Sequence, residues 1–388
     1  MPGFYSPSIG FTTFSVSGEI PGTNTAEWFS EKFLSGKFLP IEDTIDPQSS
    51  GWVEFGAPLR AYFDAPGSYS VGGHIVFSFR VDSRKIASAA LKSLCQREEQ
   101  RLLTERPGVK RLSKQKRAEI KERMETKLLA KAYPVPAVVD VVWDYRKKRL
   151  AVFSTSQKTL DMFDALFKKC FEGFGLVAIH PYARAESLLD EQYAARLRGC
   201  NKANSDSVSA LIAENLWLGC DFSVWALWRS ATSQESYLTA AGRHYRAGDA
   251  YYAWIDDRIL FAGTGTEGAQ KVSVAGAQDN YAEAISALRN GKHITGASFR
   301  IEMDGQEHRF TLKCDTFSFP GWRTPKISTE KTDSPEDTRD AMFYEKTGLL
   351  EQGEELFDNL YRTFLHERLG DAWGETERAI ALWTEAVS

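Results

Sequence analysis

The segment from about residue 83 to residue 131 limits the folds open to this chain most, because it has helical composition and lies between strand-like sequences. β-Branched residues almost disappear there, and Ala, Leu, Lys, Arg, Glu and Gln dominate, as is typical of helices. Pro107-Gly108 divides the segment, which predicts two helices in an αα-hairpin. Ile120, Met124 and Leu128 form a narrow apolar stripe on an otherwise charged second helix. Helices that are polar nearly all round usually project from a protein body, so we predict an arm.

Strand patterns flank this arm on both sides. Before it, a helix with Thr25 as its predicted cap ends at Gly36, among strands predicted at 11–16, 51–55, 60–63 and 74–81. After it come strands predicted at 136–145, 149–156 and 175–182, and a helix at 158–172 with apolar residues at i, i+3, i+4 spacing. The sequence therefore predicts an α+β fold with mixed sheet domains and an inserted helical-hairpin arm.

The C-terminal half continues the α+β pattern. Residues 210–260 are rich in aromatic residues, and Trp225 and Trp228 have the spacing of a helix that packs in a core. Asp304-Gly305 predicts a hairpin turn between alternating strands. The expected divisions are 1–82 and 134–185 for a central domain, 83–133 for the basic hairpin tip, 186–325 for a C-terminal base domain with an aromatic-rich insertion, and 326–388 for an acidic helical tail.

Charge is distributed very unevenly along the chain. The net charge is -4, yet residues 84–131 hold 15 Lys or Arg against 6 Glu, a balance of +9. Residues 328–388 hold 15 acidic and 6 basic residues, a balance of -9. A basic cluster on a projecting hairpin favours contact with a polyanion such as DNA. The candidate DNA-binding residues of this cluster are Lys110, Arg111, Lys114, Lys116, Arg117 and Lys121.

The sequence offers weak signals for enzymatic chemistry. The glycine string at Gly263, Gly265 and Gly268 precedes a β-like sequence instead of a helix, so a turn between strands is favoured over a nucleotide site. The six histidines are isolated in sequence, and neither a metal nor another cofactor is expected. Asp140 with Asp144, and Asp256 with Asp257, are the carboxylate pairs that suggest a Mg²⁺-dependent nuclease. The main expectation is that the protein is not an enzyme.

Composition points to a reducing compartment. Five cysteines have no paired spacing, which fits neither a disulfide framework nor a zinc site. The first residues lack the pattern of a secretion signal, and no apolar run has the length of about 20 residues needed to cross a bilayer. We therefore expect a cytoplasmic protein without a membrane partner.

Several segments together resemble the recombination-associated protein RdgC family. They include SGWVEFG at 50–56, the run from KRLSKQK to LLAKAY at 110–133, the sequence VVDVVWDYRKKRLAVFSTSQK at 138–158, and NGKHITGASF at 290–299. The resemblance is best over about 45–185 and moderate over 260–320.

The resemblance implies a ring-shaped homodimer that encircles DNA. It also implies sequence-independent binding of double- and single-stranded DNA, association with the nucleoid, and restraint of RecA-driven strand exchange. The matching positions would place Lys110 and its neighbours, and also Lys271, facing the DNA, and Tyr133 with Leu128 and Leu129 in a dimer contact. A nuclease and a non-binding oligomeric scaffold remain the alternatives.

Overall fold

The described part of the chain forms a mixed α+β fold, as the sequence predicts. The computed structural model describes residues 3–105, 108, 111–265, 268–276, 281–328 and 334–386. The described strands are β1 (Ile9–Ser17), β2 (Gln48–Val53), β3 (Ser70–Val71), β4 (His74–Arg84), β5 (Pro134–Asp144), β6 (Arg149–Val152), β7 (Gly175–Ala178), β8 (Tyr237–Leu238), β9 (Ala250–Gly265), β10 (Gly268–Ala275), β11 (His293–Met303), β12 (Gln306–Lys313) and β13 (Phe319–Arg323).

Helices separate these strands along the chain. The described helices are α1 (Thr25–Ser35), α2 (Ser88–Thr104), α3 (Lys114–Leu129), α4 (Gln157–Cys170), α5 (Pro181–Leu188), α6 (Glu191–Cys200), α7 (Val208–Glu214), α8 (Leu216–Thr232), α9 (Ala282–Arg289), α10 (Pro335–Arg368) and α11 (Trp373–Ala386). Among these described helices, none is long and apolar enough to cross a membrane.

Strand β1 joins the two halves of one antiparallel sheet. The described strands follow the order β10-β9-β11-β12-β13-β1-β6-β5-β4-β2, and β3, β7 and β8 pair with β4, β1 and β9. The start of β1 pairs with β13 through Ile9 and Phe11, and its middle pairs with β6 through residues 12–15. Because a strand offers backbone hydrogen bonds on both edges, β1 holds N-terminal and C-terminal strands in a single sheet.

Two hydrophobic cores cover this sheet. The smaller core contains Phe33 of α1, Trp52 of β2 and Phe163 of α4, all fully buried. The larger core is built around α8, whose Phe222 and Trp225 are fully buried. The prediction that the aromatic-rich segment packs in a core is thus confirmed at these positions.

Helix α10 belongs to the larger core. Its Phe357, Tyr361 and Phe364 are fully buried, and the ring centroids of Tyr361 and Phe364 lie 5.2 and 5.5 Å from that of Phe222. The acidic segment predicted at the C-terminus is therefore helical, and its apolar face packs against α8.

Helices α2 and α3 lie between two strands that pair along their whole length. Strands β4 and β5 are in register from Ile75 opposite Trp143 to Arg84 opposite Pro134. The two helices contact each other, and Ile120 and Met124 of α3 are buried. The chain therefore leaves the sheet and returns to it at neighbouring points. That these helices form a projecting arm, and that the protein is a ring-shaped dimer, stay predictions.

One predicted strand is absent, and another is shorter than predicted. Residues 60–63 form a loop, from which Phe63 is fully buried in the smaller core. The strand predicted at 175–182 ends at Ala178, and Pro181 begins α5, a position where proline is favoured because its fixed φ suits the first helical turn. The turn at Asp304-Gly305 is confirmed, since both residues have the positive φ that a tight hairpin turn requires.

Two buried histidines predict an acid-sensitive fold. Burial lowers the pKa of His180 and that of His308 to about 4, from an ordinary value of about 6.5 in the unfolded chain. Both histidines therefore stay neutral in the folded protein at pH values where they are protonated in the unfolded chain. The stability that comes from keeping them neutral is fully present above about pH 6.5 and is lost as the pH falls toward 4. The free energy of unfolding should decrease across that window.

His308→Leu should make that decrease smaller, by at most about 3 kcal/mol. Urea unfolding of the wild type and the variant at a series of pH values measures the effect, and His293→Leu, at an exposed position, is the matched control. An equal decrease in all three proteins would contradict the prediction.

Candidate nucleic-acid interface

The sequence of α3 directs its basic residues away from α2. The side chain of Ser113 accepts a hydrogen bond of 3.2 Å from the backbone N–H of Lys116, which caps the helix start. Ile120 and Met124 are buried, so the remaining faces of the helix carry the charges to solvent. Of the predicted DNA-binding cations, Arg111, Lys114, Lys116 and Lys121 are exposed.

Some of these cations are already engaged. Lys116 forms an ion pair of 2.7 Å with Glu119. Arg117 is half-buried and donates hydrogen bonds of 3.3 and 3.2 Å to the carbonyl oxygen of Leu112. Lys110 lies outside the described residues. Of the predicted cations, Arg111, Lys114 and Lys121 make no ion pair within the described residues, so these three are available to an anion.

Two other arginines of the helical pair share one acid. Glu98 of α2 accepts from Arg101 at 2.8 Å and also contacts Arg123 of α3. This bridge holds the two helices together and neutralises charge at that point. Exposed cations without a described ion pair lie on both sides of this bridge, with Lys121 before Arg123 and Lys127 after it.

Lys271 lies far from this region in the sheet order. It is exposed on β10, at one end of the described strand order, whereas β4 and β5 lie toward the other end. One protomer therefore does not bring Lys271 and the cations of α3 onto neighbouring strands.

Tyr133 is almost entirely exposed at the junction of α3 with β5. Its side chain is 87% exposed, and Leu128 and Leu129 before it are half-buried. The guanidinium of Arg84 donates to the carbonyl oxygen of the adjacent Ala132, which ties this junction to the end of β4. An exposed ring on an anchored backbone is suited to contact with another molecule.

The carboxylates suggested for a nuclease are engaged by other groups of the protein. The side chain of Asp140 accepts from the backbone N–H of Phe4 at 2.7 Å and from the hydroxyl of Ser78 at 2.6 Å. Asp256 forms an ion pair with Arg300, and Asp257 lies 3.9 Å from the same guanidinium. Neither pair is among the described groups that could hold a metal ion.

The glycine string joins two strands, as predicted. Gly265 ends β9 and pairs with Gly268, which begins β10. Because a strand follows the glycines, no helix N-terminus is available there to hold a phosphate.

One carboxylate of the suggested pairs has unexpected neighbours. The ligand atoms of Asp144, His74 and Glu351 all lie within 4.8 Å of one another. His74 is isolated in sequence but not in the fold, because β4 pairs with β5 and α10 packs beside them. The separation of these residues along the chain explains why no motif signals the group.

A comparison with family models identifies the N-terminal half. The model described as "Putative exonuclease, RdgC" matches residues 12–191. Residues 12–191 belong to the RdgC family. No curated protein matches the chain.

The region that matches the RdgC family contains most of the predicted DNA-binding and dimer-contact residues. The matched residues include α2, α3 and Tyr133, whereas Lys271 and Glu351 lie beyond them. The resemblance inferred from the sequence is thereby confirmed over α2, α3 and their flanking strands. Membership supports, in broad terms, a recombination-associated DNA-binding protein.

Removal of the available cations should weaken DNA binding and its dependence on salt. In the variant Arg111→Ala, Lys114→Ala, Lys121→Ala, the slope of log affinity against log salt should flatten by up to about 0.9 for each lost phosphate contact. The loss should be equal on unrelated DNA sequences, because phosphates carry no sequence information. Fluorescence anisotropy across a salt series measures both effects.

A second triple variant tests whether position matters. Lys37→Ala, Lys158→Ala, Lys169→Ala removes the same number of exposed cations outside the helical pair. Its slope should stay near that of the wild type. Equal slopes for the two triple variants would show that the helical pair is not the DNA contact.

Proposed function

We propose that this protein binds DNA without sequence preference, encircles the duplex as a ring-shaped homodimer, and restrains RecA-driven strand exchange in homologous recombination. The observation that carries the proposal is that Arg111, Lys114 and Lys121, on and just before α3 inside the RdgC region, are exposed and make no ion pair with any residue that the structure describes. In the cell it would be a cytoplasmic, nucleoid-associated protein.

Ionic contacts between cationic side chains and DNA phosphates account for binding that is independent of the DNA sequence. Lysine and arginine that neutralise phosphates release counterions, and this term supplies most non-specific affinity. If a dimer neutralises about six to ten phosphates, affinity falls roughly 10³–10⁵-fold between about 50 and 200 mM salt. A protein held in this way binds any duplex or single strand that it meets, and the bound DNA is less accessible to a RecA filament.

A ring requires two contacts between the protomers. Tyr133 supports one of them, because a large exposed ring at an anchored junction can be buried against the same patch of a second copy across a two-fold axis. Closure of such a ring would also allow Lys271 and the cations of α3, which lie apart in one protomer, to face the same hole.

Tyr133→Ala should therefore weaken the dimer while the fold stays intact. The exposed position means that few contacts within the protomer are lost, so circular dichroism and the melting temperature should change little. Sedimentation velocity over a concentration series should show more monomer than in the wild type. Tyr62→Ala, which truncates a side chain that is 66% exposed elsewhere, is the control, and identical dimerisation in both variants would remove Tyr133 from the interface.

Encirclement predicts a dependence on DNA topology. Salt weakens charge contacts, but a closed ring on a circular duplex has no end from which to slide. Protein loaded at low salt should therefore survive a salt challenge better on circular than on linear DNA. Cleavage of the circle by a restriction enzyme after loading should release it. Equal loss from both forms would leave an ordinary surface binder.

A metal-dependent nuclease is the second candidate function. The description of the matching family model names an exonuclease, and His74, Asp144 and Glu351 could hold a metal ion. End-labelled linear DNA incubated with the protein and Mg²⁺ or Mn²⁺ separates the candidates. Bound and intact DNA supports the first function, shortened strands support the nuclease, and no binding supports a scaffold.

A further inference from the structure

A cavity lies where the N-terminal sheet meets α10. Its volume is about 300 Å³, and its lining combines apolar residues such as Phe4 and Phe153 with ionisable groups from distant parts of the chain. His74 comes from β4, Asp144 from the end of β5 and Glu351 from α10. Partly apolar cavities with a few converging polar groups are the usual form of ligand sites.

The orientation of His74 suits a metal ligand. Its Nδ1 lies 3.3 Å from the carbonyl oxygen of Gly72, which accepts a hydrogen bond when Nδ1 carries the proton. The lone pair is then on Nε2, which lies 3.9 Å from Oδ2 of Asp144. A backbone carbonyl that fixes the tautomer in this way is the common outer partner of a metal-bound histidine.

Cations occupy the position where a metal ion would lie. The Nζ of Lys147 is 2.6 Å from Glu351 Oε1 and 3.3 Å from Asp144 Oδ2, and Arg243 is 2.8 Å from Glu351 Oε2. Both side chains are substantially exposed, 42% for Lys147 and 61% for Arg243, so both can swing into solvent. The two carboxylates thus attract positive charge that is held by flexible side chains.

His244 adds an unsatisfied nitrogen beside this group. Its Nε2 is buried and has no hydrogen-bond partner within the described residues, although it lies 3.4 Å from Glu351 Oε2. A buried ring nitrogen without a partner is costly unless something binds it, and a metal ion would satisfy it.

We propose that His74, Asp144 and Glu351 bind a divalent transition-metal ion, with His244 as a further ligand, and that the ion displaces Lys147. Imidazole with carboxylate favours Zn²⁺ or Mn²⁺ over Mg²⁺ and Ca²⁺, which prefer oxygen ligands alone. The ion would join β4, β5 and α10. The proposal does not depend on DNA binding.

Titration of the full-length, chelator-treated protein with Zn²⁺ and with Mn²⁺ tests this site. Calorimetry should give a single site per chain, and the melting temperature should rise with metal concentration because the ion binds the folded state. His74→Ala and Glu351→Gln should each lower the affinity by more than about 100-fold, since loss of an outer partner alone costs up to that much. His293→Ala, at an exposed position, should leave the affinity unchanged.

The variant Lys147→Ala distinguishes a metal site from a group of ion pairs that binds no metal. Removal of the competing ammonium should tighten metal binding by about fivefold, the size of a partly exposed ion pair. Circular dichroism of each variant verifies that it is folded. Absence of binding to the wild type, or unchanged affinity in both His74→Ala and Glu351→Gln, would overturn the proposal, as would weaker binding in Lys147→Ala.

Discussion

Backbone pairing along β1 holds the two cores of this protein on one sheet. The strand gives its first residues to β13 and its later residues to β6 and β7, and the register with β13 shifts between Ile9 and Phe11. Gly10 lies at that shift, and a Cβ there would be 2.6 Å from the carbonyl oxygen of Pro320. Such an approach is closer than any side chain permits. The junction of the two halves therefore depends on the absence of one methyl group.

Opposite charges inside the molecule stabilise the same junction. The acidic face of α10 meets basic residues of β6 and α5: Arg149 lies 2.7 Å from Glu354, and Arg184 is buried beside Asp358 and Glu354. Much of the negative charge of this helix is thus consumed within the protomer. Lys114 and Lys121 of α3 have no such partners among the described residues, which helps to explain how a chain of net negative charge can present a basic surface.

The sequence predicts those features that depend on local patterns. The composition of residues 83–131 predicts α2 and α3, the spacing of Phe163 and Phe167 predicts the buried face of α4, and Asp304-Gly305 predicts its turn. Long-range pairing leaves no local signal, so the role of β1 and the packing of α10 against α8 could not be predicted. The same reason hides the group of His74, Asp144 and Glu351. The strand predicted at 60–63 is wrong because an apolar side chain in a loop, such as that of Phe63, can be buried as deeply as one in a strand.

The return of the chain beside its point of departure has a consequence for folding. Arg84 and Pro134 are neighbours across β4 and β5, so the pairing of these strands must close a long loop, and the entropy of closure opposes it. Contacts between α2 and α3 are local in sequence and form quickly. Once these helices lie side by side, the two strand ends are already near each other, and the loop left to close is short. The surface proposed to meet DNA would thus also act as a guide by which the N-terminal sheet finds its register.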